Sequence, residues 1–108
     1  MTVLGDPADI SPYILSDKKA IVLFEMTGCP YCRAFEPRFL DFAKSSSEDY
    51  ALLRVKLDDP QDPLWEKYDI IAVPTVIAFS RGKIIARADS ILALGLSKKK
   101  WAEFCDCL

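Results

Sequence analysis

The stretch Ala20-Ile21-Val22-Leu23-Phe24-Glu25-Met26 constrains the fold more than any other. It is apolar at nearly every position and shows no alternation. A strand with one wet face alternates; a strand covered on both faces reads as a continuous apolar run. Such a strand belongs inside a largely parallel sheet with helices on both sides, an α/β arrangement. Thr27-Gly28 follows as a loop and delivers Cys29-Pro30-Tyr31-Cys32. A helical pattern then runs from Arg33 to Lys44, with Cys32, Phe35, Phe39 and Phe42 facing the sheet. Pro37 lies inside this pattern and is expected to kink the helix, and Ser45-Ser46-Ser47 to end it.

Two cysteines separated by two residues at a strand-to-helix junction read as a redox pair. A thiolate, not a thiol, attacks a disulfide, and a helix N-terminus offers it unpaired N–H groups and a partial positive charge. Cys29 falls at the N-cap. Pro30 falls at the first helical position, where its missing N–H costs nothing. Cys29 is therefore the expected attacking thiol and Cys32, one turn in, the resolving one. The competing readings are a structural disulfide and half of a metal site. Zinc needs about four ligands, and the chain has no histidine and only two other thiols, Cys105 and Cys107. Residues two apart on a helix do not share a face. Cys105 is expected in the core and Cys107 at the frayed helix end. The other reading of those two is a second redox or metal element.

The rest of the chain supplies the frame. Residues 1–5 show no pattern. Asp6-Pro7 is a helix start, with Ile10, Tyr13 and Ile14 as its apolar stripe and Pro12 shortening or breaking it. Ala51 to Leu57 is a second strand, which with the first strand and the helix makes a right-handed βαβ unit. Asp62-Pro63 opens a short helix carrying Leu64, Trp65 and Tyr68. Thr75 to Phe79 is a strand, Ser80-Arg81-Gly82-Lys83 a turn, and Ile84 to Arg87 the antiparallel return. Ser97 caps a last helix whose buried stripe is Trp101, Phe104, Cys105 and Leu108. The stretch Ile91 to Leu96 is apolar without a period. It reads as packing of a longer last helix, or as an apolar patch for a partner; the first is the expectation here.

A length of 108 residues suits one domain, and 51% hydrophobic residues suit a folded core. The net charge of −2 gives no electrostatic case for nucleic acid or an anionic membrane. Lys98-Lys99-Lys100 reads as a solvated helix face. The N-terminal stretch lacks the pattern of a signal peptide, and no apolar segment is long enough to span a bilayer. The expected setting is cytoplasmic and reducing, where a cysteine pair is more often catalytic or metal-binding than structural.

The order strand, Cys-x-x-Cys helix, strand, short helix, Val73-Pro74-Thr75, hairpin, helix resembles the thioredoxin family along nearly the whole chain. Pro37 lies eight residues after Cys29, where that family carries its kinking proline. Val73-Pro74-Thr75 matches the family's cis-proline motif, and Leu96 to Phe104 its last helix. The loop itself, Thr27-Gly28-Cys29-Pro30-Tyr31-Cys32, resembles glutaredoxin instead. Met26 stands where glutathione-using glutaredoxins carry a lysine, and Arg87-Ala88-Asp89 where they carry a Gly-Gly pair. Gly28 stands in place of the tryptophan that flanks the thioredoxin site, leaving the thiol more open.

The resemblance implies a thioredoxin fold, a central mixed sheet of four to five strands flanked by about four helices, in a single domain over residues 1–108. It implies thiol–disulfide exchange on protein disulfides, by Cys29 attack and Cys32 resolution, with re-reduction by a flavin-dependent reductase or a small thiol and no cofactor. Thioredoxins bury an Asp six residues before the first cysteine; Leu23 stands there. Glu25 shares that strand face by the period of two. It is read either as taking part of the Asp's role toward Cys32 or as an exposed strand-end glutamate. The resemblance further implies a cis Val73–Pro74 bond, where the residues alone suggest an ordinary trans proline at a strand start. Gly28, Pro30, Tyr31, Val73 and Pro74 are then the substrate-binding candidates, with Ala72 on the same rim. The alternatives are a glutathione-linked reductase, and a non-catalytic binding module or iron–sulfur carrier of the same fold.

Overall fold

The computed structural model describes residues 3–4, 10–46 and 48–108. The described elements run β1 (Val3–Leu4), α1 (Ser11–Ile14), β2 (Ala20–Glu25), α2 (Pro30–Ser46), β3 (Ala51–Lys56), α3 (Pro63–Lys67), β4 (Thr75–Ser80), β5 (Lys83–Ala88) and α4 (Lys98–Asp106). The strands form one mixed sheet in the order β1-β3-β2-β4-β5. β2 pairs parallel to β3 and antiparallel to β4. It is the central strand, and all six of its residues are buried.

The period of two divides β2 between two cores. Ala20, Val22 and Phe24 face one way, onto Ile14, Leu53, Val55, Ile77 and Phe79. Ile21 and Leu23 face the other, onto Phe35 and Phe39 of α2 and Trp101 and Phe104 of α4. This second core is aromatic at its centre: the Phe35 ring meets Trp101 edge-on at 4.9 Å between centroids, and Trp101 stacks on Phe104 at 5.2 Å. Each such buried aromatic contributes about 1.5–3 kcal/mol.

Several elements differ from their sequence patterns. Residues 3–4 form an edge strand parallel to β3, where no pattern was visible. Two residues are too few to show any period. The proposed helix start at Asp6-Pro7 and the position of Ser47 lie outside the described residues. Pro12 does not break α1. It sits in the first turn, where no N–H is needed, and the helix is simply short. α2 continues through Pro37 to Ser46 as one helix. Ala43, not Phe42, completes its buried face, and Phe42 packs half-buried against Trp101 and Tyr50. The β4–β5 hairpin turns at Arg81 (φ 51°) and Gly82 (φ 83°), the pair of positive values a two-residue turn needs to match strand twist.

The strand directions decide where the functional loops meet. β2 and β3 run parallel, so the loops after Glu25 and after Lys56 leave the same sheet edge. β4 runs antiparallel to β2, and its first residue, Thr75, lies opposite Phe24. The segment before Thr75 therefore arrives at that edge too. Three loops, around Cys29, Asp58 and Pro74, converge there from separate parts of the chain.

Candidate active site

Cys29 precedes the first residue of α2 and acts as its cap. Its carbonyl accepts the N–H of Arg33 at 3.1 Å, and its Sγ accepts the N–H of Cys32 at 3.2 Å. The N-cap side chain is ordinarily an oxygen; here sulfur fills the role. The hydrogen bond that a capping serine would receive is thus available to a thiolate. Cys29 is half-buried, whereas Cys32 is 4% exposed. The first sulfur is therefore the more accessible of the two. Both cysteines are thiols in this structure.

Burial, first, and the hydrogen bond with Cys29, second, push the Cys32 thiol up from 9.0 to about 12; the negative charge of Glu25 adds to the rise. This has a consequence for stability. The unfolded chain gives up this proton near 9.0, while the folded dithiol keeps it to about 12. Between those values the unfolded state binds fewer protons, so the stability of the reduced protein falls as pH rises. Denaturant melts of the reduced protein should show that decline, and Cys32→Ser should lessen it, leaving the part due to Cys105, whose thiol burial also raises. Glu25→Gln should narrow the Cys32 window from its upper end, because it removes a negative charge that raises the folded-state Cys32 thiol, and an unchanged window would show that Glu25 does not act on Cys32.

The Val73–Pro74 peptide bond is cis. The Cys29 thiol lies 4.0 Å from the Val73 carbonyl oxygen, so residues 44 positions apart in the chain meet. Thr75 closes the turn beneath it by donating from Oγ1 to the Ala72 carbonyl at 2.7 Å. Gly28 has φ +73° and open space where a Cβ would sit. Among the described residues other than its chain neighbours, nothing lies within 4 Å of the position a Cβ would take there. Pro30 opens the helix, and Tyr31 is 42% exposed beside it.

Glu25 is not the exposed strand-end residue that one reading expected: it is 5% exposed. Both its carboxylate oxygens are taken by one guanidinium, with Arg54 Nε at 2.7 Å from Oε2 and Nη2 at 2.9 Å from Oε1. Arg54 also donates to Glu36 of α2. A bidentate pair of this kind is geometrically stringent. It fixes the Glu25 carboxylate in place.

The structure adds residues that no sequence pattern had singled out. Asp58, just beyond β3, accepts the Thr27 N–H at 2.8 Å and its hydroxyl at 2.7 Å, tying down the loop that carries Cys29. Those two hydrogen bonds hold the Asp58 carboxyl below its usual range. The signal was an acid after the neighbouring parallel strand, visible only once the register was known. The Ile91 to Leu96 stretch is also corrected. It does not extend the last helix, which begins at Lys98. It forms a small loop closed by an Ile91–Gly95 bridge, with Ile91, Leu92 and Leu94 exposed and Gly95 and Leu96 buried. Cys105 is half-buried with its thiol raised by burial, and Cys107 is exposed at the helix end. Among the described residues, no group of three or more His, Cys, Asp or Glu is placed to hold a metal ion. No described helix is long and apolar enough to cross a membrane.

The sequence model of the thioredoxin family matches residues 7–98, most of the chain. The chain belongs to the thioredoxin family. A thioredoxin of Mycoplasmoides gallisepticum is 27% identical over 84 residues, which is 78% of this chain and 82% of that one. A thioredoxin of Echinococcus granulosus is 33% identical over 69 residues, 64% of this chain and 63% of its own length. Among solved structures, spinach chloroplast thioredoxin f superposes with a TM-score of 0.77 at 17% identity, covering 97% of this chain and 85% of that one. The germline-specific thioredoxin Deadhead of Drosophila melanogaster gives 0.76 at 21% identity, covering 100% and 99%. These structures support the thioredoxin fold of the sheet and helices. The thioredoxin-family pair is Cys29 and Cys32, and they stand together at the start of α2.

Proposed function

We propose that this chain works as one domain that reduces disulfides in protein substrates. The observation that carries this is the pairing of a reachable sulfur that caps a helix with a buried thiol one turn behind it. Cys29 thiolate attacks one sulfur of the substrate disulfide. A mixed disulfide forms, and the other substrate sulfur leaves as a thiolate that takes up a proton. Cys32 then loses its proton and attacks the Cys29 sulfur. The second substrate thiol leaves, and the chain is left with a Cys29–Cys32 disulfide. Two electrons have passed to the substrate. A flavin-dependent reductase or a small thiol must return them, in a cytoplasmic, reducing setting.

Gly28, Pro30, Tyr31, Val73 and Pro74 form the substrate rim in this reading. An extended substrate segment would lie along the Val73 backbone beside Cys29, the strand-addition mode of peptide recognition. Glu25 acts by its charge on Cys32, held in position by Arg54 through both of its oxygens. It keeps the Cys32 proton in place until Cys29 is committed to the mixed disulfide.

Cys32→Ser tests the sequence of steps. Incubated with a disulfide-bonded protein, this variant should accumulate a covalent adduct through Cys29 that dithiothreitol dissolves. Mass spectrometry would locate the bond. An adduct through Cys107, or none, would overturn the assignment of Cys29 as the attacking thiol.

A further inference from the structure

Residues 68–74 join α3 to β4 and belong to no helix or strand, yet they carry Val73, whose carbonyl faces the Cys29 thiol. Ile70 and Val73 sink their side chains into the first core. Apolar packing of that kind is non-directional and does not by itself aim a carbonyl. The aim comes from polar side chains, and two of these sit in one four-residue stretch, Arg87 to Ser90. Arg87 donates from Nη2 to the Tyr68 carbonyl at 2.9 Å and to the Asp69 carbonyl at 3.5 Å. Ser90, only 8% exposed, donates from its hydroxyl to the Pro74 carbonyl. The segment is thus gripped at its first two residues and at its last.

The first grip is itself oriented. Arg87 Nε and Nη2 each reach one carboxylate oxygen of Asp89 at 2.9 Å. A planar guanidinium fixed along one edge presents its remaining N–H in a set direction. What it meets is a residue in an unfavourable conformation. Asp69 has φ 51°, in the left-handed region where a Cβ crowds the following carbonyl oxygen. A cation on that carbonyl keeps the turn in place. The second grip is a buried hydroxyl–carbonyl pair, in which removal of one partner leaves the other unsatisfied. Val73 lies between the two grips, so both bear on where its carbonyl stands relative to the Cys29 sulfur.

From these contacts we infer that Arg87 and Ser90 are positioning residues, which hold residues 69–74 as a rigid shelf along which an extended peptide aligns its disulfide with Cys29. This rests on the disulfide-reductase reading and adds the side chains that make extended protein segments better substrates than small disulfides. Both act through the Val73 backbone and take no part in the sulfur chemistry. Pairing with a backbone that is already fixed costs less ordering than pairing with a loose one. A small disulfide that makes no backbone contact gains nothing from the shelf.

The test uses the full chain, Arg87→Met, Ser90→Ala and the double variant. Backbone nitrogen relaxation reads the shelf directly. The order parameters of Ile71, Ala72 and Val73 should be near about 0.85 in the intact chain and fall toward about 0.6 in the double variant, with those of β2 unchanged. Pre-reduced protein is then mixed, in single turnover, with an extended peptide bearing one internal disulfide and with a small aromatic disulfide. The double variant should react about tenfold more slowly with the peptide and within about twofold of the intact chain with the small disulfide. A merely structural role would slow both reactions or neither. Unchanged order parameters at residues 71–73, equal losses with the two disulfides, or an unchanged peptide rate would overturn the inference. Should Arg87→Met fail to fold, Ser90→Ala decides the matter alone, with an expected loss of about threefold confined to the peptide. If the intact chain reduced neither disulfide, the reductase reading would fail, while the order parameters would still show whether Arg87 and Ser90 hold the segment.

Discussion

Cys29→Ser should lower the rate of protein-disulfide reduction at least about a thousandfold. A serine hydroxyl can still cap α2, so the fold should survive. It is a far weaker nucleophile than a thiolate, and no disulfide can form through it. The cap makes this a clean substitution. The residue that carries the chemistry also receives the Cys32 N–H, and serine is among the best residues for that hydrogen bond. Circular dichroism and the unfolding midpoint should therefore stay near those of the intact protein while turnover disappears. Residual activity within tenfold would mean that another thiol, of which Cys107 is the exposed one, performs the exchange.

Arg54→Met should destabilise the fold by about 3 kcal/mol or more. The Glu25 side chain is 7% exposed, and Arg54 supplies the charge that balances it. Without that guanidinium, Glu25 must either keep an uncompensated charge or take up a proton. Glu36 loses the same partner but is 43% exposed and can turn to water. The double replacement Glu25→Leu/Arg54→Met should recover most of the loss, because it removes both charges together. In urea melts the single variant's midpoint should fall clearly with little change in slope. A cost below about 1 kcal/mol would show that water reaches Glu25 and that the pair behaves as an ordinary surface salt bridge.

These two predictions differ in how much of their basis the sequence displayed. The cysteine pair is local. Strand, loop, N-cap, proline and helical face succeed each other within one short stretch, and each step has its own residue preference. The meeting of Cys29 with Val73 spans 44 positions, and only the resemblance of Val73-Pro74-Thr75 to a family motif pointed to it. The Glu25–Arg54 pair had no such cue. Leu52-Leu53-Arg54-Val55-Lys56 reads as a strand with ordinary alternation, and whether its arginine faces water depends on register and on what α2 lays over it. By register Arg54 lies beside Leu23, two residues from Glu25 on the same strand face. The loop after β5 failed for another reason. Its apolar residues suggested burial, but a turn with positive φ at Ala93 and Gly95 sends them outward. Positive φ at an alanine has no signature in composition.

The reduction potential of the Cys29–Cys32 pair is the measurement that bears most directly on the proposed chemistry. Equilibration in dithiol buffers of known ratio, with the two redox states separated after acid quenching, gives it. A reversible two-electron couple near −270 mV, about the value of thioredoxin, is the expected result for a reductant of protein disulfides. A couple at about −180 mV or above would contradict net reduction, because the pair would then draw electrons from most protein thiols. No reversible couple at all would remove the redox reading and leave a thioredoxin-family domain that binds without exchanging thiols.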